Sequence, residues 1–146
     1  MSSKSDEVYI YIPGFGDLLT RGRKLLIRLF WRGRRVVVFD SRWSDIAESA
    51  TDKKRRLKRL IDRHDGKQLV FVGESAGGSL AILMAMEYSD RARFVTICGY
   101  NHDQASIHQI HQQTHLAFFD LVGEIDKKLA KLPKKVAVQS LVLYSL

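Results

Sequence analysis

The sequence predicts an α/β fold: a mostly parallel sheet with helices on both faces. Three observations carry this. Short β-branched or aromatic runs alternate with longer stretches whose apolar residues recur at helical spacing, the order expected of right-handed βαβ units. The runs at 35–40 and 68–73 are apolar without alternation, as strands buried on both faces are. Both Gly-rich turns, "PGFGD" and "GESAGG", directly follow a predicted strand. That places them together at the carboxyl edge of the sheet, where open α/β sheets bind ligands. At 146 residues, 45% hydrophobic and 27% charged, the chain reads as a single domain over 1–146 with enough apolar material for a core.

The elements follow in order. "VYIYI" (8–12) is β-branched and aromatic and stops at Pro13-Gly14, a strand ended by a turn. Leu18, Gly22, Leu25, Leu26, Leu29 and Phe30 then recur at helical spacing. They predict an amphipathic helix over about 17–32, with Arg21, Arg23, Lys24 and Arg28 outward and Gly33 as its stop. "RVVVFD" (35–40) is the second strand. The polar stretch after it has a sparse apolar stripe (Ile46, Ala50, Leu57, Leu60 and Ile61) and reads as a loop leading into a basic helix that stops at Gly66. "QLVFVG" (68–73) is the third strand, and the helix over 76–88 is apolar almost all round, so it is expected to be buried. "RFVTICGY" (93–100) is the fourth strand. The segment 101–132 is helical in parts and closed by Pro133, and "VAVQSLVLYS" (136–145) is the fifth strand. No repeat or linker divides the chain.

Composition narrows the function classes. No apolar stretch reaches the ~20 residues that span a bilayer. The first residues have no basic start leading into a long apolar segment, so they do not read as a signal peptide. The one cysteine, Cys98, cannot form an internal disulfide and, within a strand, reads as a small buried hydrophobe. A cytoplasmic setting is expected. The net charge of +8 is concentrated in 21–35 and 53–64. Such runs read as solvated helix faces, with weak, salt-sensitive adhesion to polyanions and no sequence readout, because aromatic residues for base stacking are not evident among them.

The chemistry centres on Gly73-Glu74-Ser75-Ala76-Gly77, which fits G-x-S-x-G. A serine hydroxyl is a poor nucleophile and needs exposure, a base and donors for the oxyanion formed on attack. A sharp strand-to-helix turn presents Ser75 at the sheet edge, Gly73 and Gly77 give the strained turn room, and the next helix aims its free amides at the site. A β-branched residue at position 77 is expected to crowd that turn. The motif by itself occurs by chance in roughly one chain in twenty of this size. The strand before it and the buried helix after it are the context that distinguishes it. A purely structural turn and a phosphate-binding turn stay open as readings. A dinucleotide fingerprint fails, because "PGFGDLL" has Leu19 where the third glycine belongs.

The chain resembles the α/β-hydrolase fold, in a minimal or C-terminally truncated form. "YIPGFGD" is similar to that family's oxyanion loop and "VGESAGG" to its nucleophile elbow, and the order of elements matches over nearly the whole chain. The resemblance implies that Ser75 is the nucleophile and that the backbone N–H groups of Phe15 and Ala76 form the oxyanion hole. It implies a cap-like segment at about 101–132 and no cofactor. Pro13 stands where many members carry histidine, which leaves the backbone donor in place. The family's first two strands are not visible. Its acid and histidine follow its last strands, and at Leu146 the acid-bearing loop would only be starting. The resemblance therefore implies a longer native chain, or substitutes from "GYNHD": Asp103 as acid and His102 as base.

The 146-residue chain itself is expected to show little or no triad-dependent activity, a longer native chain supplying the acid just beyond Leu146 and the histidine further on. His108, His111 and His115 lie three and four apart, a spacing that suits Zn²⁺, but with no carboxylate or cysteine clearly joining them they read as polar cap surface, a triad histidine recruited from the group being the lesser alternative, so no metal is expected. Asp40 and Trp43 follow the second strand at the same edge, Trp43 either lining a pocket or packing in the core. Glu74 adjoins Ser75 without needing to face it. The expected function is a serine hydrolase acting on a small-molecule ester or other acyl substrate. The alternative is a non-catalytic hydrolase-fold binding protein that meets an anionic partner through its basic helices.

Overall fold

The computed structural model describes residues 6–15, 31, 33–97, 116–131 and 142–143. Their elements are β1 (Glu7–Ile12), β2 (Arg35–Val38), α1 (Ala50–Asp62), β3 (Gln68–Glu74), α2 (Gly77–Glu87), β4 (Ala92–Ile97), α3 (Leu116–Leu129) and β5 (Val142–Leu143). Among the described residues the sheet has five strands in the order β2-β1-β3-β4-β5, and every pairing is parallel. The register Ile12↔Gly73 ends β1 and β3 side by side, so the turns that follow them start as neighbours.

Helix boundaries follow from capping and periodicity. Ser49 caps α1: its hydroxyl accepts from the Asp52 N–H at 3.1 Å and donates to the Asp52 carboxylate at 2.7 Å. Ala50, Leu57 and Ile61 form the buried stripe of α1, and Lys53 falls on the same stripe. In α2, residues 77–85 are all buried, as an all-round apolar helix must be. Ala117, Phe118, Leu121, Val122 and Ile125 recur at helical spacing along the buried side of α3.

One large core joins these helices to one face of the sheet: Val8, Ile10 and Ile12 of β1 and Leu69 and Phe71 of β3 meet Leu57, Leu80, Phe118 and Leu121. Each such side chain, fully removed from water, contributes about 1.5–3 kcal/mol. The opposite face carries a second cluster, Tyr11, Val70 and Val72, against which Tyr9, Trp31 and Ile97 pack. Trp31 is the one described residue of the helix predicted over 17–32, and its ring meets Tyr9 edge-to-face at 5.0 Å.

Some expectations differ from the structure. The strand expected to be buried on both faces at 35–40 stops at Val38, and its valines are only half-buried. The reason is position: β2 is the edge of the described sheet, paired on one side only. Ile46 is 73% exposed and lies in the loop before the Ser49 cap, so it belongs to no helical stripe. Of the strands predicted over 93–100 and 136–145, the described parts are Ala92–Ile97 and Val142–Leu143. Among the described residues no helix is long and apolar enough to cross a membrane.

Candidate active site

β3 ends at Glu74 and α2 begins at Gly77, so Ser75 stands in the turn between them. Its φ is 49°, the left-handed region, which costs a residue with a side chain about 1–2 kcal/mol. Two backbone bonds hold it there. The Ser75 N–H donates to the Ile97 carbonyl of β4 at 2.9 Å, and the Ser75 carbonyl accepts from the Gly78 N–H at 2.9 Å. The side chain is half-buried.

The glycines around Ser75 are needed for space. A Cβ on Gly73 would lie 2.5 Å from both the Gly77 carbonyl oxygen and the Gly78 Cα. One on Gly77 would lie 2.0 Å from the Ile12 carbonyl oxygen, and one on Gly14 would lie 2.8 Å from both the Glu74 carbonyl oxygen and the Ser75 Cβ. The turn after β1 therefore packs directly on the turn after β3, backbone to backbone. The same Gly14 Cβ would reach 3.4 Å from the Ala76 nitrogen. Ala76 caps α2 with no side-chain hydrogen bond to its first turn, whose N–H groups lack intrahelical partners.

The first turn is fixed from beneath. The Pro13 carbonyl accepts from the buried Trp43 Nε1–H at 2.8 Å and from the buried Ser41 hydroxyl at 3.2 Å. Phe15 meets Trp43 and Phe118 edge-to-face at 5.8 and 5.4 Å, and Trp43 meets Phe118 at 6.3 Å. Ser41 and Trp43 belong to the loop after β2, and Lys53 organises that loop. The Lys53 ammonium, fully buried, donates to the Ser41 carbonyl at 3.0 Å, the Arg42 carbonyl at 2.6 Å and the Glu48 carboxylate at 2.8 Å. All three of its donors are used, which is what burial of an ammonium requires. Glu48 also accepts from two nitrogens of Arg56. Burial alone would raise the Glu48 carboxyl, but hydrogen bonds and charge from Arg56 and Lys53 hold it below the ordinary 4.5.

Lys53 corrects the reading of 53–64 as a wholly solvated face, since this lysine supports the turn beside Ser75 from inside the molecule. Its place on the stripe 50, 53, 57, 61 is the sequence signal that identifies it. Trp43, expected either in a pocket wall or in the core, is 2% exposed and does a core residue's work of anchoring Pro13.

Of the predicted site residues, Ser75 and Ala76 stand in the β3–α2 turn, and Phe15 follows Gly14, whose backbone packs against both. His102, Asp103, His108, His111, His115 and Cys98 lie outside the described residues. The described histidine, His64, follows α1 and accepts at its carbonyl from the Lys67 N–H at 3.2 Å, just before β3 begins. That is the end of the sheet opposite Ser75. Burial and the charges of Arg35 and Arg63 lower the His64 pKa. Asp40 accepts from Arg42 Nε at 2.9 Å, and Glu74 accepts from the Tyr11 hydroxyl. Among the described residues no group of three side chains is arranged to hold a metal ion. The buried Thr96 hydroxyl, in register with Gly73, has no hydrogen-bond partner among them.

A family model described as alpha/beta hydrolase fold matches residues 10–142. Among solved structures, an alpha/beta hydrolase enzyme from the metagenome of sediments of the Mar Chica lagoon, Morocco, gives a TM-score of 0.56 at 13% identity, over 96% of this chain and 68% of that one. The haloalkane dehalogenase DpaA of Paraglaciecola agarilytica NO2 gives 0.53 at 21% identity, over 77% of this chain and 41% of that one. At these identities the likeness is one of fold. The chain spans 41% of that dehalogenase's length. No curated protein matches it by sequence.

Proposed function

The chain belongs to the alpha/beta hydrolase fold family, and on that premise we propose that it is a serine hydrolase, opening an ester or other acyl bond through an acyl-enzyme on Ser75. The observation that carries this reading is the backbone of Ser75, held at φ 49° at the tip of the β3–α2 turn. Such strain persists only where the surroundings over-determine it, and it concentrates at functional sites.

The roles follow from the chemistry. The Ser75 oxygen attacks the substrate carbonyl carbon while its proton passes to a base. The carbonyl oxygen becomes an oxyanion, and the N–H groups of Phe15 and Ala76 donate to it. One such donor is typically worth about 10²–10³-fold in rate. Collapse breaks the bond to the leaving alcohol, which takes the proton from the base, and leaves Ser75 acylated. Water, deprotonated by the same base, then releases the acid and restores the hydroxyl. His102 is the base and Asp103 its orienting acid, both in the segment that follows β4. The cap expected at about 101–132 belongs to the same single domain, and no cofactor takes part.

Release of p-nitrophenolate from p-nitrophenyl butyrate tests the reading. Ser75→Ala is expected to remove at least ~10³-fold of the turnover, with His102→Ala and Asp103→Ala following it. Unchanged turnover in Ser75→Ala refutes the assignment of the nucleophile. Full turnover in His102→Ala refutes the assignment of the base.

A further inference from the structure

Between β2 and α1, on the flank of the sheet, lies a groove of about 440 Å³. Val38 and Leu60 give it a half-buried apolar floor, with Phe39 beneath. Arg42, Arg56, Arg59 and Arg63 line it against one carboxylate, Asp40, an excess of three positive charges.

The arginines are not equivalent. Arg42 pairs with Asp40, while Arg56 is held by Glu48 and lies over the Phe39 ring. Elsewhere on α1 the cations are also committed: Lys53 to Glu48, Lys54 to Glu124, Arg55 to Asp52 and Lys58 to Glu87. Arg59 and Arg63 differ. Both are exposed, and among the described residues neither has a carboxylate partner. They stand four residues apart on one helix, so their Cβ atoms are about 5–6 Å apart and the like charges repel. Every other cation of α1 thus has a carboxylate partner, and the two without one among the described residues both line the groove. The same field reaches His64, whose pKa is lowered by burial and by the charges of Arg35 and Arg63.

Two guanidinium forks at this spacing suit a tetrahedral dianion, whose oxygens take paired N–H donors. The apolar floor beside them suits a hydrocarbon or aromatic body. We propose that the groove binds a small organic phosphate, its phosphoryl group between Arg59 and Arg63 and its apolar part on Val38 and Leu60. The site runs along α1 and is separate from the turn that carries Ser75.

Calorimetric titration with phenyl phosphate, at low ionic strength, tests this. The expected result is saturable one-to-one binding, weakened ~10-fold or more by Arg59→Gln and by Arg63→Gln. Both positions are exposed, so the variants should fold, and thermal melting checks that they do. Arg59→Lys with Arg63→Lys keeps the charge and loses the forks, and is also expected to weaken binding. Lys127→Gln with Lys131→Gln, exposed cations at α3 and just beyond it, should leave binding unchanged. Inorganic phosphate should compete, but more weakly. Equal loss in the Lys127/Lys131 variant would mean diffuse charge attraction and would overturn the site. So would binding to vesicles containing phosphatidic acid without a response to phenyl phosphate, or inorganic phosphate binding more tightly than phenyl phosphate.

Discussion

One methyl group on Gly77 tests whether the two turns meet as closely as described. In Gly77→Ala the new Cβ would lie 2.0 Å from the Ile12 carbonyl oxygen, 2.8 Å from its carbon and 2.9 Å from the Pro13 oxygen. Ordinary contact begins at 3.4 Å, so the end of β1 and the start of α2 must part by about 1.4 Å. Neither yields easily. Ile12 is in register with Gly73 in the sheet, the Pro13 carbonyl is held by Trp43 and Ser41, and α2 is buried over 77–85. Overpacking costs about 1–3 kcal/mol, and contact with main chain that cannot swing aside belongs at the top of that range. With an m-value near 2 kcal/mol/M, a loss of about 3 kcal/mol lowers the urea midpoint by about 1.5 M. Tryptophan fluorescence across a urea series reads it directly. Gly123→Ala is the matched comparison, because a Cβ there meets nothing within 4 Å in the middle of α3. It should instead stabilise by about 0.5–1 kcal/mol through helix propensity. If the two variants have the same midpoint, the close approach of the turns is refuted, and with it the reason for glycine at position 77.

Lys53→Met strands the Ser41 and Arg42 carbonyls and removes one partner of Glu48. It is expected to cost about 3–5 kcal/mol in urea unfolding, and a loss below 1 kcal/mol contradicts the buried network. Acid should weaken the fold through Glu48. Its folded pKa lies below the ordinary 4.5, so the unfolded chain binds more protons in that window. Its stabilisation is present above 4.5 and is lost as pH falls through the folded value; Glu48→Gln should flatten the acid limb of midpoint against pH, and an unchanged slope contradicts this. Thr96→Val replaces a buried hydroxyl that has no partner among the described residues, and thermal melting should show about 1 kcal/mol of added stability. A destabilised variant would mean that the hydroxyl is bonded.

Much of this fold was legible in the sequence, because its elements depend on local patterns. The strands at 8–12 and 68–73, the buried helix after Ser75 and the two Gly-rich turns all lie where hydrophobic period and turn chemistry put them. Position within the sheet was less legible. "VVVF" reads the same in a central strand or at an edge, and only its pairing, with β1 alone among the described strands, shows which it is. Lys53 was hidden by its neighbours. In "KKRRLKRL" one lysine among many cations looks solvated, and its burial depends on carbonyls at 41 and 42 and a carboxylate at 48, which folding brings together. That Arg59 and Arg63 lack a carboxylate partner among the described residues was hidden in the same run, because charge counting cannot see which cations have partners. Ser75 was legible for the opposite reason: a strained turn needs small residues at fixed offsets, and Gly73 and Gly77 supply them.

On this reading Ser75 is a nucleophile rather than a serine confined to a turn. Labelling with a fluorophosphonate, followed by peptide mapping, tests it most directly, because the probe reports an activated serine whatever the natural substrate. The folded wild-type chain is expected to carry one adduct, on the peptide holding Ser75, absent from Ser75→Ala and absent from wild-type protein unfolded in urea. A folded wild-type chain that stays unlabelled, or that carries its adduct on another serine such as Ser41 or Ser79, would contradict it.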